Sequence, residues 1–583
     1  MDKQDLKTIP GELIFNDSTL AVLNVNYIYS QNLPNWGGES GGSVSGSAGQ
    51  LSDEVSGESK FFEGTLTNND VTDIGTALDP NNNYGKIRSI NDFLRDIETG
   101  TIPAATKNRF KAQVLFFRAY RYFDLVRLYG GVPLVLTSLP AIGEDAKNEG
   151  KLPRNSTTEC MKQIIADLDT AIKYLPGRWN DPASNWGRIT SGGAAAFKGR
   201  VLLTYASPQF NPGDLQTRWK DAYDANLQAY TLLVASGFGL NSSYENMWFP
   251  GSETANPEAV LVTGYNNSTG DQTRKNNSYD RATRPSYLGT GGGSNQPTWQ
   301  MVKAYPMKDG KKPGTSAKYV YADQQFYKNR DPRFNATIAF NGATWRINGN
   351  ANYKLWTYFA ANKTVEQKAS GTGFYCRKAI DPVVSAGNDL YVGTDWLEIR
   401  FAEVLLNLAE SAVGINKLNA ADESYKGLID VRKRAGIEAG ADNLYGLTAG
   451  MSRAQLFTAL LYERQIEFAF EGKRFWDLRR WKLIESTLNG KRRTKMQINL
   501  KTGANIPTAA DFANPASPKF RDVTDIDVAY STYFELVESN LDTKYAINWK
   551  PEYYFFGIPA GSIANNPNLT QTNLWGGSFD PLK

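Results

Sequence analysis

The stretch NRFKAQVLFFRAYRYFDLVRLYGGVPLV, Asn108 to Val135, decides how the rest of this 583-residue sequence is read. Leu115, Ala119, Tyr122, Val126 and Tyr129 recur at spacings of four and three, and Phe116, Tyr120 and Phe123 widen the apolar stripe. That period predicts a helix over 107–129, buried on more than one side. Gly130-Gly131 follows, with Pro133 just beyond. A glycine cap and then a residue that cannot continue the helix is the usual order at a C-terminus.

Further helices lie on either side of a long gap. Spacing predicts them at Cys160 to Leu175, Gly193 to Ser207 and Lys220 to Ala235. Downstream, Leu397 to Val413 carries Phe401, Val404 and Leu408 on one face, and Ala420 to Ala435 follows after a short link, as in an antiparallel helix hairpin. Ser452 with Gln455 three residues on is a capping-box pattern, opening a helix through Leu456, Leu460, Ile466 and Phe470 toward Trp481. The fold class expected is mostly α, a scaffold of helix pairs without a strict repeat period. Between the helices run polar and aromatic stretches, Ser30 to Asn83, Asn241 to Thr298, Asn341 to Gly373 and Gly490 to Asp527. Loops of this length are uncommon in a packed protein unless they carry function, so the binding surface is sought there.

Composition removes several classes of function. There is no histidine, which excludes Ser-His-Asp and Cys-His nucleophile pairs and every metal site that needs an imidazole. What survives as enzyme chemistry is chiefly a pair of carboxylates, as in glycoside hydrolysis. Lys and Arg number 64 against 60 Asp and Glu, a net charge of +4, and no basic block exceeds Lys491-Arg492-Arg493, so a nucleic-acid partner is not expected. No run approaches the roughly 18 consecutive apolar residues of a membrane-spanning helix. Cys160 and Cys376, far apart and outside any C-x-x-C, read as buried free thiols, with a disulfide as the lesser alternative.

At Asn108–Val135 the sequence also resembles the SusD/RagB family of Bacteroidetes outer-membrane lipoproteins, and further pieces follow in the family's order. They are PTWQMVKAYPMKDG from Pro297, DPRFNATIAFNG from Asp331, LEIRFAEVLLNLAES from Leu397, VRKRAGI from Val431, YERQIEFAFEGKRFWDLRRW from Tyr462 and NPNLTQTN from Asn566. The resemblance implies one domain over residues 1–583, with a tetratricopeptide-like, α-solenoid scaffold at about 84–240 and 397–490 and loop-rich binding regions at about 30–83, 241–300, 341–375 and 490–527. It further implies a non-catalytic, surface-exposed protein held by a lipid anchor on the outer membrane and partnered with a SusC-like TonB-dependent transporter. Family precursors acylate a cysteine that ends a signal peptide; Met1-Asp2-Lys3-Gln4-Asp5 shows neither, and the segment reads as the tether that would follow it.

Two kinds of residue compete for a functional role. Glu463, Arg464, Glu467, Glu471, Arg474, Asp477, Arg479 and Arg480 lie at spacings that allow i,i+3 and i,i+4 ion pairs, and with their aromatic neighbours they read as a structural network rather than a catalytic carboxylate pair. A sugar ring instead needs flat aromatic platforms beside amide, carboxylate or guanidinium groups. Loops with that mixture single out Trp36, Asn68, Asp70, Arg284, Tyr287, Trp299, Trp345 and Trp356 as ligand-binding candidates. Trp299 lies inside a family motif and doubles as a packing candidate; of Trp36, Tyr287, Trp345 and Trp356, two or three are expected to face one hollow. The ligand expected is an oligosaccharide, with an oligopeptide of the RagB type as the alternative and a carboxylate-dependent glycoside hydrolase as the lesser one. No cofactor is expected. A structural calcium is compatible with the Asp and Asn of these loops but is not indicated by them.

Overall fold

The computed structural model describes residues 14–38, 48–75, 81–140, 148–249, 256–267, 276–503, 506–514, 516 and 525–583. The segment read as a tether lies outside them at residues 1–13, as do parts of three of the four long loops, Asn341 to Gly373 being described throughout.

Helices α1 (Ser18–Asn32) and α2 (Asn83–Thr99) flank α3 (Ala104–Tyr129), the helix read from its spacing. α3 packs on α4 (Thr157–Tyr174), α4 on α5 (Ser191–Ala206), and α5 on α6 (Gln216–Ala235). A second group, α7 (Phe401–Gly414), α8 (Glu423–Ala435), α9 (Arg453–Glu467) and α10 (Lys473–Arg480), closes against the first through α7, which touches both α5 and α6. The fold is mostly α and of the helix-pair, tetratricopeptide-like kind.

α3 is central because nearly every residue from Phe110 to Tyr129 is buried, Arg118, Arg121 and Asp124 included. Burying a charge is costly unless it is paired, and Arg118 forks onto Asp167 of α4 at 2.7 and 2.8 Å. At its end Gly130 takes φ +75°, and a Cβ on Gly131 would lie 2.0 Å from the Asn155 carbonyl oxygen. The double glycine is therefore demanded by a close backbone approach as well as by the cap. Capping boxes start α4, at Ser156 and Glu159, and α9, at Ser452 and Gln455.

In three places the fold departs from the periodic reading. Leu397 to Arg400 is not helical: Trp396–Arg400 is a strand, β8, paired antiparallel with β1 (Ala259–Thr263) in the middle of what read as a loop. The helix expected to run on to Trp481 breaks between α9 and α10, where Phe470 and Gly472 adopt φ of +63° and +69°. Asn341 to Gly373 is not structureless either, since it holds the hairpin β3 (Thr344–Ile347) and β4 (Asn350–Lys354).

The Arg-rich segment is structural, but its partners are remote rather than one turn away. Arg333, from the short helix Pro332–Thr337, bonds Glu463 at 2.7 Å and Glu467 at 2.9 Å. Arg400 of β8 bonds Glu471 and Glu467, and Arg432 and Arg434 of α8 reach Glu463 and Glu467. Only Arg480–Asp477 keeps the i,i+3 spacing within this segment. Burial would raise the Glu467 carboxyl, but the guanidinium groups of Arg434, Arg400 and Arg333 outweigh it and hold it well below the usual range. Such a residue is no acid–base catalyst near neutral pH. Buried ion pairs of this kind contribute more to a single geometry than to net stability.

Candidate ligand-binding site

The hollow most suited to a ligand is formed by segments far apart in sequence. Trp36 follows α1, Gln50 lies in a single 3-10 turn, Tyr265 follows β1, and Tyr279 opens the short helix Tyr279–Thr283. Together with Asn35, Asn276 and Asn295 they line a cavity of about 600 Å³.

Its aromatic side is built around Trp36. The indole Nε1 donates to the Thr394 carbonyl at 2.7 Å, and the ring stacks on Tyr279 with centroids 3.8 Å apart and planes 19° off parallel. Trp396 and Trp248 pack obliquely against it at 5.1 and 5.9 Å. Tyr279 is fixed from the other end, its Oη donating to the Lys378 carbonyl at 3.2 Å. Asn277 ties the two together: its side-chain amide donates to the same Thr394 carbonyl and to that of Val392, while its Oδ1 accepts from the Tyr279 N–H. Burial pushes the Tyr265 hydroxyl up to about 12, so it stays protonated and able to donate. Trp36, Tyr265 and Tyr279 are each half-buried. Among the described lining residues none is Asp or Glu.

Of the candidates named from sequence, Trp36 alone lines this cavity. Trp299 is a correction: fully buried, it donates to Glu538 at 3.1 Å and lies parallel to Phe374 in the core beneath the loops. Arg284 is another, fully buried in an ion pair with Asp280 at 2.8 Å and donating to the Asn348 side chain. Trp345 is a third, since the alternation of strand β3 turns it into a small core with Ile347 and Tyr375. Asn68 and Asp70 belong elsewhere, Asn68 donating to the Ile558 carbonyl and Asp70 capping Thr67 and pairing with Lys60. Tyr287 and Trp356 remain half-buried and adjacent, the Tyr287 hydroxyl donating to the Trp356 carbonyl at 3.3 Å, outside the Trp36 cavity. The expected sharing of one hollow among Trp36, Tyr287, Trp345 and Trp356 is thus not what the structure shows.

Sequence reasoning passed over Tyr265, Asn276 and Tyr279. The signal was present, because Tyr265-Asn266-Asn267 and Asn276-Asn277-Ser278-Tyr279 carry the same mixture of ring and amide as the loops that were chosen.

Comparisons with known proteins agree with one another. Residues 257–575 match the model of the SusD family, and residues 46–203 match a second model described as starch-binding, associating with the outer membrane. Two SusD-like proteins of Formosa agariphila are 25% and 22% identical to the chain, over 64% and 62% of its length and 66% and 64% of theirs. The chain thus spans just under two thirds of the curated relatives it matches. A SusD-like protein of Bacteroides fragilis superposes with a TM-score of 0.71 at 24% identity, over 96% of this chain and 97% of that one. A SusD-like carbohydrate binding protein from the same organism gives 0.70 at 24%, over 95% and 99%. A laminarin-binding SusD-like protein gives 0.58 at 18%, over 95% and 98%.

Proposed function

The chain belongs to the SusD family, and from that membership we propose that it captures an oligosaccharide in the Trp36 cavity, leaves it chemically unchanged, and delivers it to a SusC-like TonB-dependent transporter at the outer membrane, to which a lipid anchor holds it. The single observation that carries the reading is the cavity itself, with three half-buried rings beside several amide side chains. A pyranose offers an apolar C–H face to a ring and a rim of hydroxyls to amides, and both needs are met within one hollow. Structural neighbours whose descriptions name carbohydrate and laminarin as their ligands support it.

Against hydrolysis stands the lining. Glycoside hydrolysis needs two carboxyl groups on either side of the bond, and the described residues of the cavity supply none.

The test is a panel of starch, laminarin and xylan run in affinity gels and by calorimetry, with reducing-end release measured alongside. Retention of at least one glycan without release is expected. Trp36→Ala and Tyr265→Ala should each weaken it at least tenfold, about 1.4 kcal/mol, with the fold verified by thermal melting. Release of reducing ends, or binding only of oligopeptides, would refute the reading.

A further inference from the structure

A second cleft shares the aromatic wall but none of the lining of the first. Trp248, tilted against Trp36, lines a hollow of about 180 Å³ with Tyr244, Phe249, Trp345, Arg346 and Arg377. Its electrostatics are different in kind. Arg346, Arg377 and Lys378 lie around it against one acid, Glu245.

Lys378 is fully engaged, donating to Glu471 and to the carbonyls of Glu467 and Ala469. The two arginines are not. Arg377 donates to the Thr344 carbonyl at 3.0 Å and among the described residues meets only one acid, Glu245, at 3.3 Å, whose side chain is 53% exposed. Burial lowers the Arg377 guanidinium from its ordinary value in spite of Glu245, whereas the clustered carboxylates around Arg333 and Arg400 outweigh burial and hold those two far above theirs. Arg377 is therefore a desolvated cation short of negative charge. Arg346, on the exposed side of strand β3, has no carboxylate within ion-pair reach among the described residues. The Trp248 ring is buried in the wall of the cleft.

We infer that this cleft binds an anionic sugar unit, a pyranose carrying a carboxylate or a sulfate ester, at a site separate from the Trp36 cavity. Arg346 and Arg377 take the charged group in the forked geometry that guanidinium offers to oxyanions. The half-buried ring of Phe249 lies under the C–H face. The whole chain would then grip a polymer at two points of different chemistry, a neutral stretch at Trp36 and a charged residue here.

Calorimetry of the full chain with trigalacturonate, its methyl ester, a sulfated trisaccharide and inorganic sulfate tests this. The free acid, the sulfated sugar or both should bind, more weakly as salt is raised, and the tighter of the two names the anionic group. Arg346→Gln, an exposed position that leaves the core intact, should weaken that binding at least tenfold, and Arg377→Gln should do the same. Trp36→Ala should change it by less than twofold, which separates this site from the first. Three outcomes would overturn the inference: the acid and its ester bind equally, Arg346→Gln has no effect, or inorganic sulfate alone binds as tightly as the sugars.

Discussion

Trp36 and Trp299 stand in stretches of similar character, each among Asn, Gly and Ser with a proline near by, and yet their environments differ completely. Trp299 has no exposed surface and stacks on Phe374, whereas Trp36 is only half-buried and lines the cavity. Trp299→Ala should accordingly cost about 3–5 kcal/mol of stability in denaturant melts, and a loss below 1 kcal/mol would show the core reading to be mistaken. Glu54 is a second residue whose environment sets its behaviour. Fully buried and beside Asp53, its carboxyl is pushed up to about 8 from 4.5, and one of its oxygens has no hydrogen-bond partner among the described residues. A raised native value means stability that is complete at low pH and is lost as pH rises from about 4.5 toward 8. Glu54→Gln should therefore raise Tm by several degrees more at about pH 9 than at about pH 5. An equal shift at both would exclude a titrating Glu54.

Among the elements, those decided by local signals were the most readable. α3 stops at its glycine pair and α9 starts at its Ser452–Gln455 box because a cap is settled within four residues. β8 was misread because Leu397, Phe401, Val404 and Leu408 continue a helical spacing across its end, and only pairing with β1, more than a hundred residues earlier, makes the first of them a strand. Propensity yields there to a tertiary partner. The exit of α3 gives a direct test of close packing. Gly131→Ala places its Cβ 2.0 Å from a carbonyl oxygen and 2.8 Å from the Phe579 ring, and should cost about 1–3 kcal/mol. Gly239→Ala meets nothing within 4 Å and should stay within about 0.5 kcal/mol of the parent. Equal melting temperatures for the two variants would contradict the packing at Gly131.

For the molecule as a whole, the buried charges join distant segments. Glu258, Arg333, Arg400, Arg434, Glu463, Glu467 and Glu471 come from one strand, a short helix, two long helices and two turns. In Glu463, Glu467, Glu471 and Asp477 burial raises the carboxyl, but the facing cations outweigh it and the net direction is down. A lowered native value means stability that is present above the unfolded value, near 4, and lost as pH falls through the folded one. Tm should thus fall steeply below about pH 4, as these carboxyls take up protons. With the segments joined in this way, calorimetry at neutral pH is expected to show one transition, and two resolved transitions would count against one unit spanning 1–583.

The sequence by itself determined most of the long helices, with the caps at Gly130 and Ser452, the absence of imidazole chemistry, the membership of the family and the structural standing of the Arg-rich segment. Periodicity, capping and composition are all expressed over a few residues or over the whole count, so a linear reading reaches them. Tertiary structure alone decided which ring lines the cavity. Burial of Trp299, Trp345 and Arg284, and the stacking of Trp36 on Tyr279, depend on contacts between segments remote in the chain, and a tryptophan suits a core as well as a sugar platform. Nothing local to Trp36 records that Tyr279 will lie against it.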